Sequence, residues 1–177
     1  MLEKNSKQVL AFTAETSEAV VKSITAFYAI ATTAKIYHWQ SAGSNFEGDH
    51  LLFDRIFDDI YKFDYIDIVA ESLAMQKESY NPDILNDVQK LIAEQEGKKF
   101  TKEDLMNDNV QDLMFQELGN MLENWNIESM KIKSMIPQLA QMYDQMYETC
   151  GILRGLIDAR LRRSKIISRL EKAFDLK

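Results

Sequence analysis

The sequence predicts an all-α fold: a ferritin-like four-helix bundle with one short extra helix between the second and third long helices. Three observations carry the helical part of that expectation. Apolar residues recur in steps of three and four along most of the chain. The 177 residues include only two prolines and six glycines, too few for a many-turned all-β domain. Capping residues and breakers fall where the periodic runs begin and end.

The first helix is expected to start near Thr13 or Thr16, either of which suits an N-cap, with Glu15 and Glu18 favourable in the first turn. Val20, Ile24, Phe27, Tyr28, Ala31, Ala34 and Tyr37 share one face. The run reaches about residue 42, where Gly43 is a natural stop, giving a helix about 40 Å long. Ser44 or Asn45 can cap the second helix, which the pattern carries across 46–79 until Pro82 ends it. Asn81-Pro82-Asp83 opens a short third helix closed by Gly97, and Thr101 to Asp104 forms a further capping signature. From Val110 onward the apolar positions barely pause. A single helix to Lys177 would be about 100 Å long, so the chain must fold back, either at Pro137 or within 143–151. Residues 1–12 read as a flexible N-terminal arm and 13–177 as one bundle domain.

Composition narrows the function. Hydrophobic residues make up 46% and charged residues 28%, which suits a globular chain. The net charge of −7 disfavours non-specific binding to nucleic acid by the global field. The single cysteine, Cys150, excludes an internal disulfide and any multi-cysteine metal site, and fits a reducing compartment. No signal-peptide core and no membrane-length apolar run is apparent, so a cytoplasmic protein with no membrane partner is expected.

Only two histidines are present, His38 near the end of the first helix and His50 near the start of the second. The turn at Gly43 brings those helix ends together. Asp54 follows His50 by four residues, so both project from one face about a turn apart. An imidazole and a carboxylate at that spacing can present mixed nitrogen and oxygen ligands to iron, manganese or zinc. Asp67 and Glu71 form a second such acidic pair, and Asp58 lies one turn beyond Asp54. Acids on an exposed helix are usually only solvated. Here Trp39 and Phe46 flank the candidates, and Leu51, Leu52 and Phe53 interleave with them, so the stretch reads as half buried. There is no glycine-rich phosphate loop, no His-Glu-x-x-His and no repeated Glu-x-x-His. The methionines and Cys150 fall mostly at core spacing and read as packing.

The stretch His38-Trp39-Gln40-Ser41-Ala42-Gly43-Ser44-Asn45-Phe46-Glu47-Gly48-Asp49-His50-Leu51-Leu52-Phe53-Asp54 resembles the signature of the Dps family. These are ferritin-like mini-cages that protect DNA during starvation. The family pattern is His-Trp, three residues, Gly, two residues, Phe, three residues, His, three residues, Asp, and every fixed position matches. Asp67-Ile68-Val69-Ala70-Glu71 is similar to the family's Asp-x-x-Ala-Glu, and 151–158 resembles the start of its last long helix. The resemblance implies a homo-oligomeric cage, a dodecamer, with ferroxidase centres at two-fold interfaces. His38, His50, Asp54 and Glu71, with Asp67 or Asp58, would bind iron. Fe2+ would be oxidised by hydrogen peroxide, Fe3+ would collect as mineral, and Trp39 would sit beside the site and intercept radicals.

One departure stands out. The gap from Asp54 to Asp67 is two residues longer than in the family pattern. Thirteen residues place Asp67 about 220° from Asp54, nearly on the opposite face. Either a bulge restores the face or the site is remodelled, with Asp58 as a substitute. The rival expectation is a structural or DNA-interaction cage with a degenerate site and no turnover. DNA binding itself is disfavoured. The N-terminal arm has only Lys4 and Lys7 against Glu3, and the basic run 160–172 reads as a solvated helix end.

Overall fold

A computed structural model describes residues 13–42, 46–64 and 86–174. Among them all regular structure is helical. Helix α1 spans Ala14–Gln40, α2 Phe46–Tyr61, α3 Val88–Glu94, α4 Lys102–Leu105, α5 Val110–Met135 and α6 Ala140–Ala173. The four longest close a ring of contacts, α1 to α2, α2 to α6, α6 to α5 and α5 back to α1. Among the described residues, two short helices, α3 and α4, lie between the second and third long helices. The N-terminal arm lies outside the described residues.

Both threonines proposed as caps act together at the start of α1. The Thr16 amide donates to Thr13 Oγ1 and the Thr13 amide to Thr16 Oγ1, a reciprocal capping box. Ser17 and the following turns then face the interior. Between Glu15 and Gln40 the helix is long and apolar enough to cross a membrane, yet 67% of its most apolar window is buried in this fold. The apolarity is accounted for by its neighbours, because α1 packs on α2, α3 and α5 at once.

Helix α2 corrects the expectation of a run through 79, because it ends at Tyr61. The Phe63 amide closes a tight turn on the Ile60 carbonyl. Its ring turns inward to within 6.1 Å of Phe27, and the Tyr28 hydroxyl donates to the Phe63 carbonyl. A tertiary partner thus takes the carbonyl that a continuing helix would have used. Residues 65–85 lie outside the described set, as do Pro82 and the proposed start of the third helix there.

Of the two breaks considered for the long C-terminal run, the chain uses Pro137. Ile136 adopts φ −134°, ψ 83°, the extended geometry imposed on a residue before proline, and a single 3₁₀ turn follows. The alternative, 143–151, is helix interior, with Tyr143, Met146 and Cys150 buried. Gly151 accordingly lies inside α6 and not near its start.

The core is aromatic at its centre. Phe53 stacks on Phe115 at 4.3 Å, and Trp125 lies between Phe27 and Tyr143, at 4.9 and 5.8 Å. The Trp125 indole N–H donates to the Ser23 carbonyl, 2.8 Å away. Burial pushes the Tyr143 hydroxyl up to about 12, and the Cys150 thiol is likewise raised by its dry surroundings. Met114 and Met146 fill the core as expected, whereas Met106, Met130 and Met135 are exposed.

The connection 96–100 is drawn tightly against α1. The Gly97 amide donates to Thr33 Oγ1, the Tyr37 hydroxyl donates to the Lys98 carbonyl, and Phe100 is buried against the Tyr37 ring. A methyl group on Gly97 would meet Thr33 and Met121 at 2.9 Å. Gly97→Ala is therefore expected to cost about 1–3 kcal/mol through overpacking. Gly151 on α6 has nothing within 4 Å of the same position, so Gly151→Ala should instead add about 0.5–1 kcal/mol of helix stability. Urea unfolding followed by circular dichroism distinguishes the two. Equal effects of the two changes would show that the 97 contact is slack.

Candidate metal centre

Helix α1 ends at Gln40, which leaves the carbonyls of its last turn in need of donors. The His38 carbonyl takes three: the Ser41 amide at 3.4 Å, the Ser41 hydroxyl at 2.8 Å and His50 Nδ1 at 3.1 Å. The contact is reciprocated, since His38 Nδ1 lies 3.1 Å from the His50 carbonyl. The two imidazoles stack with centroids 3.5 Å apart, and Phe46 covers His50 at 4.8 Å. Residues 43–45, with the Gly43 stop and the Ser44 or Asn45 cap, lie outside the described residues.

These contacts fix the chemistry of the rings. A carbonyl oxygen only accepts, so each Nδ1 carries a proton, and in the neutral imidazole Nε2 then presents a lone pair. Ser41 Oγ also lies 3.1 Å from His50 Nδ1 and, having donated to the His38 carbonyl, accepts there. Neither Nε2 makes a hydrogen bond among the described residues. Two imidazoles held by main-chain carbonyls with Nε2 left over is an arrangement suited to metal ligation.

Asp54 completes the group. Its Oδ1 lies 3.2 Å from His38 Nδ1 and 2.7 Å from Lys35 Nζ. Lys35 sits one turn before His38 on α1, with its ammonium 5.0 Å from the Phe57 ring centre. The hydrogen bond from Lys35 holds the Asp54 carboxyl below the usual carboxylate range, against a smaller opposing desolvation. The fold therefore brings His38, His50 and Asp54 together, as the spacing implied. Their nearer atoms are already engaged with one another and with Lys35. Among the described residues no cluster of three or more His, Cys, Asp or Glu side chains stands ready to hold an ion.

The other expected residues divide. Asp58 is exposed one turn beyond Asp54 and makes no side-chain ion pair among the described residues. Trp39 follows His38 in sequence but is 71% exposed. Asp67 and Glu71 lie outside the described residues.

Sequence reasoning missed the group that positions His50. Asp49, immediately before it, is only 2% exposed. Arg160 of α6 grips both Asp49 carboxylate oxygens, through Nε and through NH2, the latter at 2.7 Å. Its NH1 reaches Asp112 of α5 at 3.0 Å, and Ser164 donates to the other Asp112 oxygen at 2.6 Å. The guanidinium also lies over the Phe115 ring at 5.5 Å. Hydrogen bonding to Asp49 raises the Arg160 pKa, so the charge is secure. This corrects the reading of 160–172 as wholly solvated, because its first member is a half-buried strut. The available signal was register: Arg160 follows Ile157 by three, on the stripe of Cys150, Leu153 and Ile157.

No family model, curated protein or solved structure matches this chain.

Two outcomes follow from this geometry. Arg160→Met leaves the Asp49 carboxylate buried without its partner and should cost about 3–5 kcal/mol in chemical unfolding. Adding Asp49→Asn should recover at least half of that loss; no recovery would mean that the arginine acts through its packing on Phe115. For Lys35 and Asp54 the sign follows from the lowered carboxyl. The pair's contribution is complete above about pH 4, the unfolded value, and fades as pH falls through the lower folded value. It amounts to less than about 1 kcal/mol, because both groups are partly exposed. The stability gap between wild type and Lys35→Met should therefore close in acid. A gap that persists there would assign the effect to the lysine stem on Phe57.

Proposed function

We propose that this chain is an iron-oxidising, iron-storing mini-ferritin of the kind the Dps resemblance implies, a ferritin-like bundle that assembles into a homo-oligomeric cage. The observation that carries the reading is the His38–His50 stack, in which both Nδ1–H groups are spent on main-chain carbonyls and both Nε2 lone pairs remain. Asp54 supplies anionic oxygen beside them. Iron(II), the substrate, displaces the Lys35 ammonium from Asp54 and takes nitrogen from the histidines. Asp67, Glu71 or Asp58 contributes further oxygen. Two iron(II) ions each lose one electron, and hydrogen peroxide accepts both as its O–O bond breaks, its two oxygens leaving as hydroxides. The ferric product is stored as mineral.

Exposed apolar side chains support assembly at this end. Trp39, Phe46 and Leu51 all face solvent around the histidines. A second copy seated there would bury them, exclude water from the iron and strengthen every charge interaction at the site. The reading places the activity in the cytoplasm, where the lone buried Cys150 stays reduced.

A second reading rests on the Lys35–Asp54 ion pair. A carboxylate already neutralised by a lysine is a poor anion for a metal, which favours a cage that has kept the fold and lost turnover. Anaerobic iron(II) titration followed by a peroxide pulse separates the two. The first reading expects rapid oxidation to a soluble ferric product in the wild type, reduced at least about a hundredfold in His50→Ala/Asp54→Ala. Oxidation no faster than in buffer for both proteins would leave only the cage.

A further inference from the structure

Helix α6 outruns the core it belongs to. Its buried residues end at Ile157, and among the described residues none beyond that position is fully buried. Residues 161–173 extend the helix by about 20 Å. Ile166, Ile167, Leu170 and Phe174 are exposed there, Phe174 at 69%. Five of the chain's 21 lysines and arginines fall in the same stretch, but only one of its 28 acids. Those five, Arg162, Arg163, Lys165, Arg169 and Lys172, form no ion pair among the described residues, while the rest of the protein is strongly acidic.

The two kinds of side chain are sorted around the helix. At 100° per residue, Ile166, Leu170, Phe174 and Ile167 fall within an arc of about 100°. Arg162 and Arg169 border that arc on one side, with Lys165 and Lys172 further round. The opposite border faces the bundle through Arg160 and Ser164. Arg163 lies within the apolar arc, and its stem is long enough to carry the charge clear of it.

We propose that this end of α6 docks on an anionic lipid surface, lying in the interface plane with the Ile, Leu and Phe stripe inserted and the cations against the headgroups. An exposed apolar stripe beside unpaired cations is the chemistry that such a surface rewards. The 13 residues 161–173, with five cations, are too short and too charged to span a bilayer, and an interfacial helix does not span. Two other occupants suit the observations less well. Pairing this helix with its symmetry mate in a second copy sets cations against cations. A phosphate backbone uses the cations but leaves the stripe in water.

The test is co-sedimentation of the full chain with vesicles of phosphatidylcholine and phosphatidylglycerol in equal parts, against phosphatidylcholine alone. Binding is expected only to the anionic vesicles, and it should fall with added salt. Arg162→Gln/Lys165→Gln/Arg169→Gln should weaken it about a hundredfold. Ile166→Asn/Leu170→Asn should weaken it at least about tenfold. All five positions are exposed, so unchanged circular dichroism confirms that the variants fold. Failure to bind, or equal binding to both vesicles, overturns the proposal. So does a change of oligomeric mass in light scattering for these variants when vesicle binding is absent, which would assign the stripe to a second copy. Duplex DNA binding that survives Ile166→Asn/Leu170→Asn, with no vesicle binding, would assign the cations to phosphate.

Discussion

The end of the bundle that carries the histidines is held by one half-buried cation on a fully buried carboxylate. Arg160 reaches from α6 to the first turn of α2 and to α5, so three helices converge on a single guanidinium. Taking the Asp49 carboxylate wholly and the guanidinium partly out of water is expensive, and only close, multiple hydrogen bonding offsets it. Asp49 supplies two such bonds and Asp112 a third. Asp49 adjoins His50 in the chain, so fixing the one also fixes the register of the other. Its position in the first turn of α2 adds the favourable field of a helix N-terminus. The histidine stack therefore rests on a polar joint that the apolar core by itself would not specify.

The apolar layers beneath have a simpler logic. Helix α1 is apolar on nearly every side because three helices surround it, and this blurs the usual distinction between an inner and an outer face. Its aromatic residues are distributed accordingly, Phe27 toward Trp125 and Tyr37 toward Phe53 and Phe100. Hydrogen bonds from Trp125 and Tyr37 to main-chain carbonyls place those large rings in one orientation each.

Much of this was legible in the sequence, for identifiable reasons. Thr13 with Thr16, and Thr101 with Asp104, are local signals that act within four residues, and both caps form. Pro137 acts locally too and breaks the C-terminal run where it must. The meeting of His38 and His50 followed from two helix ends joined by a short turn. What stayed hidden depends on distant partners. Nothing near Phe63 announces that Tyr28, 35 residues earlier, will take its carbonyl and stop α2. The Arg160–Asp49 joint spans 111 residues, and no periodicity records a pairing of that kind. Lys35 lies on the face that meets α2, but its partner became apparent only once α2 was in place.

The reciprocal bonding of His38 and His50 has a mechanical consequence. Each ring is tethered to the backbone of the opposite helix, so the two hydrogen bonds measure the separation of α1 and α2 at that level. Sliding one helix along the other by a fraction of a turn would slacken both tethers together and free both rings to rotate. The pair thus works as a latch with two catches, open or shut as a unit. Phe53 lies one turn after His50 on the same helix and is clamped between Tyr37 and Phe115. The volume of those three rings sets the spacing that the latch senses. Imidazole alignment at this end of the bundle is in this way governed by how well an aromatic layer in the interior is filled.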